Sequence, residues 1–440
     1  MNAASSPHPT LPKHLPVIVI GGGQAGLSVS WCLKNAGIDH LVFEKNSIAH
    51  AWREKRWDSF CLVTPNWQCT LPGFDYTKDF GGTDPYGFMV KSEIIRYVQS
   101  YAASFDPPLH EGVEVRALRR HDDGHYEVET SMGDFTADQV VVAIGGYHVP
   151  TVPRYAERLS PSIKQLQAAD YRNADALPPG EVLIVGTGQS GCQLAEDLHL
   201  AGRKVHLCLG GAPRTARRYR GKDVVEWLHA MGHYDLPVDQ HPLKEKVRKK
   251  ANHYVTGRDG GRDIDLRKFA AEGMKLYGRL VDIRDGLLQF GGDLIRNLDN
   301  ADAASDRIKD GIDEYIARNG IDAVTEAREP PVWAPESEPE TLDYVAAGIT
   351  TVIWCIGYRS DFRWVQIPVF DGEGYPGHKR GVTPVPGLYF IGLSWLYTWG
   401  SGRFSGVARD AEHILQHILK RQAQLTAGVS RPGRLTATAS

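Results

Sequence analysis

The residues best placed to do chemistry fall in two short glycine patterns. The first, Gly21-Gly22-Gly23-Gln24-Ala25-Gly26, breaks the apolar run Val17-Ile18-Val19-Ile20 and opens an amphipathic segment from Leu27 to Ala36. A buried strand, a tight turn and a helix in that order make a phosphate cradle. Gly21 permits the turn, Gly23 lets a pyrophosphate approach the backbone, and Gly26 lets the helix pack on the strand, with free N–H groups at the helix start facing the anion. Eighteen positions past Gly26, at the end of a second apolar run, Leu41-Val42-Phe43, stands Glu44. A carboxylate there accepts hydrogen bonds from both ribose hydroxyls of an adenosine without a 2′-phosphate. Gln24 and Ala25 inside the pattern, and Lys45 beside the acid, are assigned to the same site.

The pattern recurs as Gly186-Thr187-Gly188-Gln189-Ser190-Gly191 after the run Val182-Leu183-Ile184-Val185, with a helix expected to Leu200 and a strand from Lys204 to Leu209. Here the position eighteen past the last glycine is Leu209, and Arg214, Arg217, Arg218, Arg220 and Lys222 follow. A missing ribose carboxylate plus nearby cations suits a 2′-phosphate, so this second site is expected to prefer NADPH to NADH. The competing reading of the cations is a solvated charged face.

Composition narrows the class. A chain of 440 residues exceeds one ordinary core, so two domains are expected, and a formal net charge of -3 argues against nucleic acid or anionic lipid as partner. No apolar stretch approaches the ~20 residues that span a bilayer, and Met1 to Pro16 lacks the apolar core of a secretion signal, which points to a cytoplasmic enzyme. Cys32, Cys61, Cys69, Cys192, Cys208 and Cys355 include no C-x-x-C pair, so no disulfide framework, zinc site or dithiol redox motif is expected.

Between the two patterns lies an aromatic and polar block from Trp52-Arg53 through Trp57-Asp58 to Pro65-Asn66-Trp67 and Phe74, read as a loop folded over something flat. Its position, directly after a dinucleotide half-site, makes Trp52 and Arg53 candidate flavin contacts. A helix is expected over Lys91 to Phe105, strands over Val113 to Leu118 and Tyr126 to Thr130, and a buried strand over Gln139 to Ile144 that ends in Gly145-Gly146. Residues 223–343 are the least legible. They read as elaboration of the second nucleotide domain and a cover for a substrate pocket, and His229, His233, His241 and His253 show no metal-ligand spacing. Two more buried strands end in Gly357-Tyr358 and Gly392. A last helix opens at Ser405-Gly406, its positive end directed at the pyrimidine side of a flavin. Trp395, Tyr397, Trp399 and Arg403, between the last strand and that helix, are candidate pocket residues.

Together these features resemble the class B flavoprotein monooxygenases, the group of flavin-containing monooxygenases, YUCCA enzymes and Baeyer–Villiger monooxygenases. The likeness runs from Val17 to Leu419 and is carried by the two glycine patterns, by Trp57-Asp58 through Pro65, Gln68-Cys69 and Leu71-Pro72, and by Trp354-Cys355-Ile356-Gly357-Tyr358-Arg359-Ser360. The resemblance implies an α/β fold of two Rossmann-like dinucleotide domains with three-layer β/β/α architecture, the NADPH domain inserted into the FAD domain. The corresponding division is a tail over 1–16, the FAD domain over 17–175 and 343–420, the NADPH domain over 176–342, and a second tail over 421–440.

The resemblance places FAD on the first pattern (Gly21, Gly23, Gln24, Ala25, Gly26, Glu44, Lys45, Trp52, Arg53, Val113, Gly145, Gly357, Tyr358, Gly392, Gly406). It places NADPH on the second (Gly186, Gly188, Gln189, Ser190, Gly191, Arg214, Arg217, Arg218). It implies insertion of one oxygen atom from O2 into a small organic substrate through a flavin C4a adduct. The alternative is an NADPH-dependent flavin oxidase or reductase without oxygen insertion. In the family fingerprint F-x-G-x-x-x-H-x-x-x-[YFW] the tyrosine is Tyr171, but Gln167 replaces the histidine. The asparagine that holds the flavin adduct in relatives corresponds to Val63, with Asn66 three residues later. Gln167 and Asn66 are therefore the candidate polar groups at the nicotinamide and the flavin. No metal is expected, and a homo-oligomer is left open.

Overall fold

The computed structural model describes residues 11–429; the ends of the two expected tails lie outside the described residues. Twelve strands in two sheets and five long helices position the site. The strands are β1 (His14–Ile20), β2 (His40–Phe43), β3 (Leu109–His110), β4 (Val115–Arg120), β5 (Tyr126–Thr130), β6 (Gly133–Val142), β7 (Lys164–Gln167), β8 (Glu181–Val185), β9 (Val205–Cys208), β10 (Lys275–Tyr277), β11 (Ile349–Trp354) and β12 (Leu388–Phe390). The helices are α1 (Gln24–Asn35), α2 (Lys91–Phe105), α3 (Gln189–Leu200), α4 (Leu294–Asn319) and α5 (Val407–Val429).

The first sheet runs β3-β2-β1-β6-β5-β4, with β12 also paired to β6. Strand β6 is long enough to serve two partners on one side. Its first half pairs antiparallel with β5, and its second half, Val140 to Val142, pairs parallel with Leu388 to Phe390. The apolar run of β1 is continuous because both of its faces are covered. Val17 and Val19 pack with Leu27, Val29 and Leu33 of α1, while Ile18 and Ile20 pack with Phe43, Phe135 and Val142 on the other side.

The second sheet is wholly parallel in the order β7-β11-β8-β9-β10. Val182 and Ile184 of β8 face Leu194, Ala195 and Leu198 of α3, and Leu183 and Val185 face Tyr277, Leu280 and Phe290. Both sheets thus have the doubly covered dinucleotide-binding form anticipated from the sequence.

The division between them differs from the expected one. β7 and β11 both belong to the second sheet, so sheet membership does not follow the expected boundaries at 175 and 343: the chain leaves the first sheet after Val142, returns to its edge where Val365 bridges Leu118, and re-enters it as a strand at Leu388. β11 lies between β7 and β8, where it completes a five-stranded parallel sheet that β8 could not centre without it. The tails are also shorter than expected. His14 to Pro16 already belong to β1, with Leu15 buried, and α5 carries the helix through Arg421 to Val429. No described helix is long and apolar enough to cross a membrane.

Candidate active site

The two glycine patterns fold into cradles of the same geometry. A Cβ on Gly21 would lie 2.8 Å from the carbonyl oxygen of Ala143, and one on Gly186 would lie 2.7 Å from that of Cys355. A Cβ on Gly26 would overlap the carbonyl oxygen of Gly21, and one on Gly191 that of Gly186. Gly23 and Gly188 differ from these: nothing lies within 4 Å of a Cβ on either. These two are the N-caps of α1 and α3, and neither helix has a side-chain cap, so the first N–H groups of both helices are available to an anion. Tight packing behind and free space in front fit the pyrophosphate of a bound dinucleotide in each cradle.

Glu44 closes the lip of the first cradle. Its Oε2 accepts from the Gly22 N–H at 2.7 Å and its Oε1 from the Asn46 N–H at 2.8 Å, which holds the carboxylate against the glycine turn. Lys45 turns away to pair with Glu114 at 2.7 Å on the exposed surface. Val113, buried below Glu44, donates its N–H to the Glu44 carbonyl at 2.9 Å.

The first residue of each helix reaches across to a distant loop. Gln24 Nε2 donates to the Gly402 carbonyl at 3.1 Å, while Gln189 donates through Nε2 to Val255 O at 2.5 Å and accepts from Val255 N at 3.2 Å. Ser190, next along α3, is half-buried.

Around the flavin position, Gly145 and Gly392 face each other at the ends of β6 and β12, and Ala25 lies 3.0 Å from where a Gly392 side chain would start. Gly406, just before α5, is packed against Gly400, whose carbonyl oxygen would stand 2.7 Å from a Cβ there. Trp52 stacks on Phe404 with ring centroids 5.7 Å apart. Arg53 is turned into its own loop, donating to Ser47 Oγ at 2.9 Å. Arg56, which sequence reasoning did not single out, lies over the Trp52 and Phe60 rings at 5.2 and 5.3 Å, and Tyr358 and Tyr147 are among its electrostatic neighbours.

Gly357 and Tyr358 follow the end of β11, where the Cys355 backbone backs the second cradle as the Ala143 backbone does the first, and Tyr358 itself lies in a separate two-stranded ribbon. The same segment joins the two domains. Tyr358 and Arg359 pair antiparallel with Pro150 and Val149, and Tyr147 meets Tyr358 at 5.9 Å.

Of the two candidate polar groups, Gln167 lies on a strand end beside the second cradle, and Asn66 lies within the aromatic loop. Gln167 pairs with Trp354 at the carboxyl ends of β7 and β11, one residue before Cys355. Asn66 is buried with its amide committed: Nδ2 donates to Tyr76 Oη and to Asp84 O at 3.1 and 2.9 Å, and Oδ1 accepts from Met89 N at 2.7 Å. It is a strut of the aromatic loop.

The arginine run also differs from expectation. Arg217 is 1% exposed, its Nε and Nη2 bonded to Asp223, its Nη1 donating to Val63 O at 2.8 Å and its guanidinium lying 4.3 Å from the Phe88 ring centre. It clamps the aromatic loop to the second domain and has no free face for a phosphate. Arg214 pairs with Asp302 at 2.6 Å and Asp265 at 3.4 Å; Arg218 remains exposed, with one bond to Gly260 O. Leu209 is buried where a ribose acid would stand.

The poorly legible segment covers the loop between β12 and α5. Val238 N donates to Tyr397 O at 2.7 Å, Trp399 Nε1 to Asn252 Oδ1 at 3.2 Å and Arg248 Nε to Trp395 O at 3.3 Å, while Tyr234 packs on Trp399 at 4.6 Å. Arg403 lies 4.0 Å from the Trp399 ring centre and bonds its carbonyl. Burial pulls His233 down, and His253 to about 4, so both are neutral imidazoles near neutral pH.

All six cysteines are free thiols. Burial pushes Cys61 to about 11 and Cys32 and Cys355 to about 12, so none has thiolate character.

Two phosphate cradles, each at the end of a parallel strand pair and one of them with a carboxylate at its lip, define a flavoprotein oxidoreductase that takes FAD and a nicotinamide dinucleotide. The chain belongs to the pyridine nucleotide-disulphide oxidoreductase family, whose model matches residues 18–262. It is 32% identical over 92% of its length to an oxidoreductase of Geobacillus kaustophilus described as CzcO-like, and covers 98% of that protein. A probable indole-3-pyruvate monooxygenase of Arabidopsis thaliana, YUCCA4, is 31% identical over 41% of the chain and 43% of that protein. A flavin-containing monooxygenase from Stenotrophomonas maltophilia shares the fold, with a TM-score of 0.63 at 16% identity over 93% of this chain and 99% of that one.

Proposed function

We propose that the chain is an FAD-dependent monooxygenase that consumes NADPH and O2, places one oxygen atom on a small organic substrate and releases the other as water. The observation that carries the reading is the pairing of two equivalent cradles with six thiols that are all free and held far above neutral pKa values. The chain offers the flavin's electrons no internal dithiol, which supports O2 as their acceptor in this reading. Likeness to a YUCCA monooxygenase in sequence supports the same reading.

When bound, FAD supplies hydride acceptance and oxygen activation. The chain's part is positioning and exclusion of water. Gly23 and Gly188 let the two pyrophosphates approach the backbone, Glu44 holds the FAD ribose, and Leu209 leaves room for a 2′-phosphate that an acid would repel. Arg218 is the exposed cation left to that phosphate, Gln167 lies at the nicotinamide end, and Trp395, Trp399 and Arg403 enclose the substrate beneath residues 234–255. A dry enclosure prevents loss of activated oxygen as peroxide.

The commitment of the Asn66 amide favours a second reading, an NADPH-dependent oxidase or reductase without oxygen insertion. The FAD-loaded protein, given NADPH, air and a panel of amines, sulfides, ketones and aromatic acids, separates the two. The monooxygenase reading expects one substrate for which oxygenated product matches NADPH consumed. Peroxide matching NADPH with every compound contradicts it.

A further inference from the structure

His14, His125 and Asp138 come together at the end of the first sheet opposite the cradle. His14 opens β1, His125 precedes β5, and Asp138 lies in β6 between those two strands, so strand register brings together residues far apart in sequence. His14 Nε2 and His125 Nε2 each stand 3.3 Å from the same oxygen, Asp138 Oδ1, and the three ligand atoms lie within 4.8 Å of one another. All three side chains are accessible, at 48%, 45% and 24% exposure.

We propose that these residues hold a divalent transition cation of the zinc class. His14 Nδ1 is 2.9 Å from Thr136 Oγ1, a hydroxyl that accepts from a protonated Nδ1 while its own hydrogen faces the Lys13 carbonyl at 3.4 Å. His125 Nδ1 is 3.2 Å from Asp123 Oδ2, an acceptor for a proton on that nitrogen. With the protons on Nδ1, both Nε2 atoms turn lone pairs toward Asp138 Oδ1; in the absence of a cation the same 3.3 Å spacing is met by an Nε2–H donating to the carboxylate. A cation bound there takes the place of that proton, with three ligand atoms already converging on it.

The spacing agrees. Zinc bonds of about 2.0–2.1 Å in tetrahedral geometry place neighbouring ligand atoms roughly 3.3 Å apart. Two imidazoles whose outer nitrogens are held by a hydroxyl and a carboxylate, plus one carboxylate, suit zinc, cobalt or nickel better than magnesium or calcium. With three protein ligands the fourth position falls to water. The site lies a full strand length from Gly21, so the cation ties β1, the β4–β5 hairpin and β6 together and takes no part in hydride or oxygen chemistry.

The test uses the FAD-loaded, tag-free chain dialysed to equilibrium against zinc chloride and analysed for metal. The expected result is one zinc per chain, lost in His14→Ala and in His125→Ala, whose FAD content and circular dichroism match the parent. His417→Ala removes half of the helical His413/His417 pair and keeps the zinc. Zinc raises Tm by several degrees in the parent and in His417→Ala only, with NADPH turnover unchanged. No zinc retained by the parent, or equal retention by the His14 and His125 variants, overturns the proposal.

Discussion

Gly26 lies so close to Gly21 that a single added carbon on the first would occupy the carbonyl oxygen of the second. That contact sets the angle between β1 and α1 and the mouth of the first cradle. Gly26→Ala is therefore expected to destabilise the chain by about 3 kcal/mol or more, because backbone on both sides must move. Gly23→Ala adds the same carbon where nothing lies within 4 Å, so the apoprotein folds normally. That carbon occupies pyrophosphate space, and FAD affinity is expected to fall by roughly tenfold to a hundredfold, about 1–3 kcal/mol. Denaturant melts and FAD titration of the two variants check this separation. Gly188→Ala is expected to raise KM for NADPH and leave FAD content unchanged.

The Arg217–Asp223 pair joins the second domain to the aromatic loop from deep within the protein. Asp223→Asn leaves a guanidinium that is 1% exposed without its counter-charge. The expected loss is about 3–5 kcal/mol of stability, read from chemical denaturation. Arg218→Ala, at an exposed position, should leave stability unchanged and reduce the preference for NADPH over NADH.

Asp410, in the first turn of α5, supplies a pH dependence. Burial raises its carboxyl to about 6 from an ordinary 3.8, and its nearest cation, Arg380, stands 3.8 Å away. Arg409, Ser401 and, one turn on, His413 complete its surroundings. Because the folded pKa lies above the unfolded one, the native state holds the extra proton between those values. Stability conferred by this group is complete below about pH 4 and is lost as pH rises through about 6, amounting to roughly 3 kcal/mol. Asp410→Asn should remove that slope from Tm measured across pH 4 to 7.

Chemical modification tests the exclusion of thiol chemistry. With Cys61 at about 11 and Cys32 and Cys355 at about 12, the native protein should resist iodoacetamide at pH 8 and retain NADPH oxidation after treatment. Rapid alkylation with loss of turnover would mean that a cysteine accepts electrons.

The cradles were legible because phosphate binding imposes residue types at fixed spacing: Gly21, Gly23, Gly26 and Glu44 occur where the chemistry demands, and the second pattern repeats it. Strand partners were not legible. Ile349–Trp354 reads as a buried parallel strand in either domain, since such strands are apolar on both faces, and only its pairing with Lys164–Gln167 and Glu181–Val185 assigns it to the second sheet. The arginine run misled for a related reason: charge is visible in sequence, but Asp223, which neutralises Arg217, acts through packing. Arg56 and the His14–His125–Asp138 cluster carried no local signal, because folding alone brings their neighbours together.

The central claim is that an NADPH seat delivers hydride to an FAD seat within this one chain. Anaerobic titration of the FAD-loaded protein with NADPH, followed by the visible absorbance of the flavin, tests it most directly. The expected result is one FAD per chain, bleached by one equivalent of NADPH, with Gly188→Ala requiring a large excess. A protein that retains no FAD, or whose flavin stays oxidised under excess NADPH, would contradict it.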